Sequence, residues 1–311
     1  MKFELTVLGS ASALPTSTKF PAAQVLNVHE RFFLIDCGEG TQMQLRKAKI
    51  SFGKLNHIFI SHIHGDHIFG LFGILSSFNL LGRKTPLHVY GHPAIERIIT
   101  FYAEQFAPEM SYEIVIHGVS GRNFQQVYED KAVEIFAFPL KHRIPCFGYL
   151  FRERSRPLNI KKDAVGKYNL TIKQIKAIKN GEDVILGSGE KLRCRSVTEA
   201  PYKTRSFAYC SDTALDKKII PCIKQVDLLY HESTFSDTHK SLARTTGHST
   251  AKQAAYIARE SKAKKLLIGH FSNRYKEEGK LLEEAREVFP DTLIAEDLGT
   301  YSVPLTREKN Y

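Results

Sequence analysis

Six consecutive residues, His62-Ile63-His64-Gly65-Asp66-His67, place three imidazoles and a carboxylate in one short turn. A loop needs no such concentration of donors in order to fold. Imidazole nitrogens and carboxylate oxygens are the ligands that suit zinc, with manganese or iron also possible, whereas magnesium favours oxygen alone. The group contains no thiolate, which argues against a closed structural site. It also holds more donors than one tetrahedral ion with an open position can use. Further ligands are expected at the ends of other strands, where the active sites of layered α/β folds lie. His142 follows the β-rich run 133–140, Asp212 follows 206–210, and His270 follows 266–268. Seven ligands make two ions: His62, His64 and His142 for the first, Asp66, His67 and His270 for the second, and Asp212 as the bridge. Two cations about 3.5–4 Å apart activate water and polarise a phosphoryl or carbonyl oxygen, which is the equipment of a hydrolase.

Positioning those side chains requires strands that stop where the ligands begin. Short β-rich runs alternate with helical patterns along the whole chain. Strands are expected at 3–8, 57–61, 87–90, 112–116, 133–140, 147–152, 206–210, 226–230, 266–268 and 292–295, with a hairpin over 24–28 and 31–35. Helices are expected at 39–48, 67–80, 94–106, 213–224, 250–261 and 280–289. Strands mixed with helices on this scale imply helix layers covering sheets, an α/β architecture. Residues 154–180 read as a helical, basic stretch poor in large apolar side chains, so the chain is expected to be one domain carrying an inserted arm at about 152–192.

Composition narrows the function classes. The chain has 311 residues, with 42% hydrophobic and 25% charged, enough to bury a core and too apolar for intrinsic disorder. No window reaches the roughly 18 uncharged apolar residues of a membrane span, and Glu4 interrupts the only resemblance to a secretory signal. Five scattered cysteines without a CxxC pair suit free thiols and a cytoplasmic location. The net charge of +11 is concentrated: residues 141–205 hold 16 Lys and Arg against 6 Asp and Glu. Such a basic stretch attracts polyanions, because neutralising phosphates releases condensed counterions.

At these residues the chain resembles the metallo-β-lactamase superfamily and, within it, the ribonuclease Z family. The likeness spans nearly the whole length. It includes the His62–His67 turn, the opening LGSASALPT, the segment Asp36-Cys37-Gly38-Glu39-Gly40-Thr41-Gln42 and the Ser211-Asp212-Thr213 turn. His231-Glu232-Ser233-Thr234, Gly247-His248-Ser249-Thr250 and His270-Phe271-Ser272-Asn273-Arg274-Tyr275 make it narrower than the superfamily signature. The resemblance implies an αββα sandwich with an inserted basic arm and two zinc ions per subunit. It implies metal-activated hydroxide attack on precursor tRNA that removes the 3′ trailer and leaves a 3′-hydroxyl. Asp66 matches the family's proton acceptor, and Glu232 with His248 match the pair that delivers a proton to the leaving oxygen. Asp36 and Gly38 are expected to shape a turn rather than to touch substrate. In the family a protruding arm grips tRNA within a homodimer, so Lys161, Lys162, Lys167, Lys173, Lys176 and Lys179 become expected RNA contacts. Two segments depart from the pattern: Gly166-Lys167-Tyr168-Asn169 stands where a Gly-Pro arm tip is common, and Pro15-Thr16-Ser17-Thr18-Lys19-Phe20-Pro21 where Pro-x-Lys-x-Arg-Asn is common.

Two other readings compete. A general phosphodiesterase or thioesterase-like hydrolase would share the ligands but has no use for the basic stretch. A metal-stabilised RNA-binding protein without turnover would have no need of a complete ligand set.

Overall fold

Ala23–Val28 and Leu228–Glu232 are buried at every position, as strands covered on both faces must be. In the computed structural model, which describes residues 1–308, these strands lie inside two seven-stranded sheets. The first runs, in spatial order, Thr300–Ser302, Phe3–Gly9, Ala23–Val28, Arg31–Ile35, Leu55–Phe59, Leu87–Gly91 and Ile114–Gly118. The second runs Thr292–Ile294, Leu266–Gly269, Leu228–Glu232, Ser206–Cys210, Cys146–Glu153, Val133–Leu140 and Gln125–Glu129. Residues 1–152 and 206–303 make up the unit that contains both sheets.

Aromatic side chains from the facing sheets form the core between them. Phe33, Phe59 and Tyr90 from one sheet share a cluster with Tyr149, Phe151, Phe207, Tyr209 and Tyr230 from the other. Each such side chain contributes on the order of 2 kcal/mol by leaving water. Outside the first sheet, Leu45, Leu71, Ile74, Leu75, Ile95 and Ile99 bury the apolar faces of Thr41–Lys47, Leu71–Leu80 and Ala94–Phe106. Outside the second, Ala251, Ala254, Ala255, Ala258, Leu281 and Ala285 do the same for Ala251–Ser261 and Gly279–Arg286. Helix, sheet, sheet and helix are the expected αββα sandwich.

The expected helix 67–80 is broken into Gly65–Ile68 and Leu71–Leu80. Gly70 lies at the break with its N–H donating to the Cys37 carbonyl at 2.9 Å. A Cβ there would stand 2.0 Å from the Gly38 carbonyl oxygen. The turn after Arg31–Ile35 can therefore press against the ligand-bearing turn only because residue 70 has no side chain. The segment expected as a helix at 213–224 is the 3-10 helix Lys217–Ile223, with Pro221 inside it. Two edge strands, Gln125–Glu129 and Thr300–Ser302, carry too few apolar residues to announce themselves.

The basic segment also differs from expectation. Residues 153–205, with residues 304–308, form a second unit. Only Ala164–Lys167 and Ile172–Lys179 of the expected 154–180 helix are α-helical, and a short hairpin pairs Val184–Ile185 with Lys191–Leu192. Ala164, Leu170, Ile178, Val184, Leu192, Cys194 and Val197 pack into a small core of this unit's own. Val184 and Leu192 lie on the hairpin and Val197 beyond it, all outside the window that read as weakly apolar. Thr171 and Gln174 form a capping box at the start of Ile172–Lys179. Glu153 and Arg205 close the base of the unit: Arg205 Nε and Nη2 donate to the Glu153 carboxylate at 3.0 and 2.8 Å. Lys161, Lys162, Lys167, Lys173, Lys176 and Lys179 are all exposed in this unit.

Candidate metal and catalytic site

Parallel pairing makes strand ends coincide. Ser206–Cys210, Leu228–Glu232 and Leu266–Gly269 are parallel neighbours, so Asp212, Glu232 and His270 emerge along one edge. In the other sheet Arg31–Ile35 and Leu55–Phe59 are also parallel, delivering Asp36 and the His62–His67 turn. His142 follows Val133–Leu140, and His248 precedes Ala251–Ser261.

The structure brings the seven ligand candidates together. Donor atoms of His62, His64, His142 and Asp212 lie within 4.8 Å of one another, as do those of Asp66, His67, Asp212 and His270. Asp212 is common to both groups. Glu232, His248 and His270 make a third. His64 Nδ1 stands 3.0 Å from His62 Nε2 and 3.3 Å from His142 Nε2. His270 Nε2 lies 3.1 Å from Asp212 Oδ1, and His67 Nε2 lies 3.3 Å from Asp66 Oδ2.

Outer hydrogen bonds decide which nitrogen each ring presents. His142 Nδ1 donates to the Gly247 carbonyl at 2.9 Å, and His67 Nδ1 to Asp36 Oδ2 at 2.8 Å. The Ser61 hydroxyl gives its proton to Asp36 Oδ2 at 2.8 Å, so toward His62 Nδ1, 3.0 Å away, it accepts. The Thr234 hydroxyl likewise donates to Glu232 Oε2 at 2.7 Å and accepts from His270 Nδ1 at 2.9 Å. Four rings therefore carry their proton on Nδ1 and turn an Nε2 lone pair inward, while His64 contributes Nδ1. Inward lone pairs converging beside carboxylates are the donor arrangement of a divalent-cation site. His67 Nε2 and Asp212 Oδ1 are also buried without a hydrogen-bond partner among the described residues, a costly arrangement unless another group completes it.

Electrostatics agree with that reading. Burial pushes His62, His64 and His142 below the usual histidine range, keeping them neutral as ligation requires. Burial also opposes charge on His67, but the Asp66, Asp212 and Asp36 carboxylates overcome it and pull the ring up. Desolvation would raise Asp66 and Asp212; the histidines around them prevail and hold both well below the carboxylate range. A proton on His67 and a bound cation are thus alternative partners for the same negative charge.

Asp36 carries more of this site than its expected turn-shaping role. It is fully buried and accepts from Ser61 N at 2.7 Å and Tyr209 Oη at 2.6 Å, besides Ser61 Oγ and His67 Nδ1. Its backbone is left-handed at φ 55°, and so is that of His270 at φ 62°. Non-glycine residues in this region cost on the order of 1 kcal/mol each, and such strain is typical of functional sites. Only the Asp36-Cys37-Gly38 turn hinted at this residue, and nothing local says that it would meet His67.

Glu232 and His248 form a separate pair. The buried Glu232 carboxylate accepts from Thr213 N, Thr234 N, Ser249 N and the His248 ring, whose Nδ1 is 3.0 Å from Oε1. Burial opposes a charged His248, but Glu232 holds its pKa up to about 9. Thr250 caps Ala251–Ser261, in a capping box with Gln253. His248 lines a pocket of about 450 Å³. Ser12, Ala13, Leu14, His64, Asp66, His142, Arg143, Phe235, His270 and Asn273 share that lining. The Ser12–Leu14 segment and Arg143 were not anticipated as site residues. The six basic-arm lysines lie in the second unit.

The chain is 45% identical to a ribonuclease Z of Bacteroides fragilis, over 95% of this chain and 97% of that protein. The chain belongs to the ribonuclease Z family. A ribonuclease Z of Porphyromonas gingivalis is 46% identical over 95% of this chain. Human tRNase Z, short form, superposes with a TM-score of 0.72 at 27% identity, covering 97% of this chain and 99% of that one. The Bacillus subtilis metallo-β-lactamase fold protein YhfI, at 18% identity and a TM-score of 0.70, shares the fold. The sequence profile described as "Anti-Pycsar protein Apyc1" matches residues 3–99. Among the described residues no helix is long and apolar enough to cross a membrane.

Proposed function

We propose that this protein is a zinc-dependent endoribonuclease that removes the 3′ trailer from precursor tRNA, leaving a 3′-hydroxyl on the tRNA. The observation that carries the reading is the inward-facing set of seven donors with Asp212 common to both groups, beside an ionised Glu232–His248 pair. His62, His64, His142 and Asp212 would hold one cation, and Asp66, His67, Asp212 and His270 a second. Such a pair supplies Lewis-acid polarisation of a phosphodiester and acidifies water toward neutrality. Asp66, a carboxylate at the pocket wall, accepts a proton from the attacking water. His248, oriented by Glu232, is protonated at neutral pH and gives its proton to the departing 3′ oxygen. The exposed lysines of the second unit, Lys161 to Lys179, hold the RNA by its phosphates.

The reading extends to a cytoplasmic homodimer. Five free cysteines suit a reducing compartment. Met43, Phe69, Leu80, Leu81, Phe101 and Phe106 expose apolar side chains on one helix layer of the first unit, which supports a subunit contact there. The test of the enzyme reading is a precursor with a trailer, incubated with zinc and mapped at both new ends. Asp66→Ala should abolish the cut while tRNA binding stays within a few-fold. A wild-type protein of verified zinc content that leaves the precursor intact would refute it.

A further inference from the structure

Behind the wall formed by His142 and Arg143 lies a second cavity, of about 490 Å³, within the usual range for small-ligand sites. The catalytic pocket and this cavity share those two residues, so they are neighbouring rooms along one surface. Leu140, Cys146 and Phe147 form a buried floor, and Pro139, Ile144 and Pro145 form the walls. The rim carries His92, Arg122 and Arg143, and no carboxylate lines the cavity. Arg143 is held on the seam by its Nε, which donates to the Thr246 carbonyl at 3.0 Å. Arg122 stands exposed beside Gly121, whose left-handed φ of 97° turns the loop.

We propose that this cavity is a nucleotide subsite, resting on the endonuclease reading: it receives the base and ribose of one RNA residue flanking the scissile phosphate. An apolar floor with two arginines, Arg122 and Arg143, at its edge is the chemistry of single-strand RNA binding, where bases lie on apolar surface and arginines take the phosphates. An anionic or purely apolar small molecule would use only half of it. A strand whose scissile phosphate lies in the catalytic pocket reaches the cavity with its next residue, past Arg143. Arg122 then holds the flanking phosphate, and the Ser120 side of the rim admits the base.

The experiment uses the full-length, metal-loaded enzyme and two modified precursors. One lacks the base at the first trailer residue, the other lacks it at the last tRNA residue before the cut. For each enzyme the ratio of kcat/KM on intact to abasic substrate is taken, so that a general loss of activity cancels. Wild type should show a ratio of roughly ten at one of the two positions. Ser120→Trp, which fills the cavity from an exposed loop position, should bring that ratio close to one. The position at which it collapses says whether the trailer or the tRNA side occupies the cavity. Arg122→Ala should lower the slope of log kcat/KM against log salt by about 0.7, the share of one single-stranded phosphate. A wild-type ratio of one at both positions, or a ratio unmoved by Ser120→Trp, overturns the subsite, as does an unchanged salt slope in Arg122→Ala. If wild type fails to cut the intact precursor, the endonuclease reading falls, and this inference with it.

Discussion

Replacing Asp36 with Asn changes one atom of a fully buried side chain, yet four hydrogen bonds converge on it. Oδ2 accepts from Ser61 Oγ, His67 Nδ1 and Tyr209 Oη, and Oδ1 accepts from Ser61 N. The least damaging amide orientation keeps oxygen at the Oδ2 position and sets NH2 against the Ser61 N–H. That leaves two buried donors unsatisfied, the Ser61 N–H and the amide NH2, at about 1–3 kcal/mol each. The other three bonds lose their ionic character, which costs several tenths to one kcal/mol apiece. Together the loss is about 6 kcal/mol, or roughly 9 °C in Tm for a chain of this size. The Asp36 carboxylate also fixes which nitrogen His67 turns inward, so zinc affinity should fall about 10–100-fold. Thermal unfolding of metal-free protein measures the first effect, and competition with a chromogenic chelator the second. An Asp36→Asn protein with Tm within about 2 °C of wild type and zinc affinity within twofold would refute the reasoning.

Three further outcomes are expected from the packing. Burial, reinforced by His88 and His117, lowers His57 to about 4, against an ordinary value near 6.5. The unfolded chain therefore takes up the proton first as pH falls, and stability is lost between about pH 6.5 and 4. His57→Phe should lessen that loss by about 2 kcal/mol in urea titrations, and an identical pH dependence would contradict the assignment. In the second unit, Arg205→Ala removes the bidentate partner of a buried Glu153, leaving it the Arg156 contact at 3.0 Å, and should destabilise that unit by about 2 kcal/mol. Faster proteolytic nicking within residues 153–205 is the readout, and unchanged resistance would argue against it. Replacing Lys161, Lys162, Lys167, Lys173, Lys176 and Lys179 with Gln should raise KM for precursor tRNA and flatten its salt dependence. Turnover of a small phosphodiester should not change, and equal loss on both substrates would contradict an RNA-holding role.

The amino-acid order alone was enough to propose the metal chemistry. Donor type is a property of the side chain, so the His62–His67 turn could be read before any fold was known. Short β-rich runs marked most of the strands, and a histidine or aspartate just after a run marked a candidate ligand, because strand ends are where sheets expose side chains. Several features needed the third dimension. The partnership of Asp36 with His67, Ser61 and Tyr209 joins residues up to 173 positions apart, and no local pattern carries such a contact. The choice of Nε2 or Nδ1 at each ring depends on a hydroxyl or carbonyl delivered by another strand. The basic segment read as one apolar-poor helix because its small core is completed by a hairpin beyond the window, including Val184 and Leu192. Local order sets which atoms can bind a cation. Only the packing of two sheets sets which of them face the same point, because that distance is fixed by strand register and not by spacing along the chain.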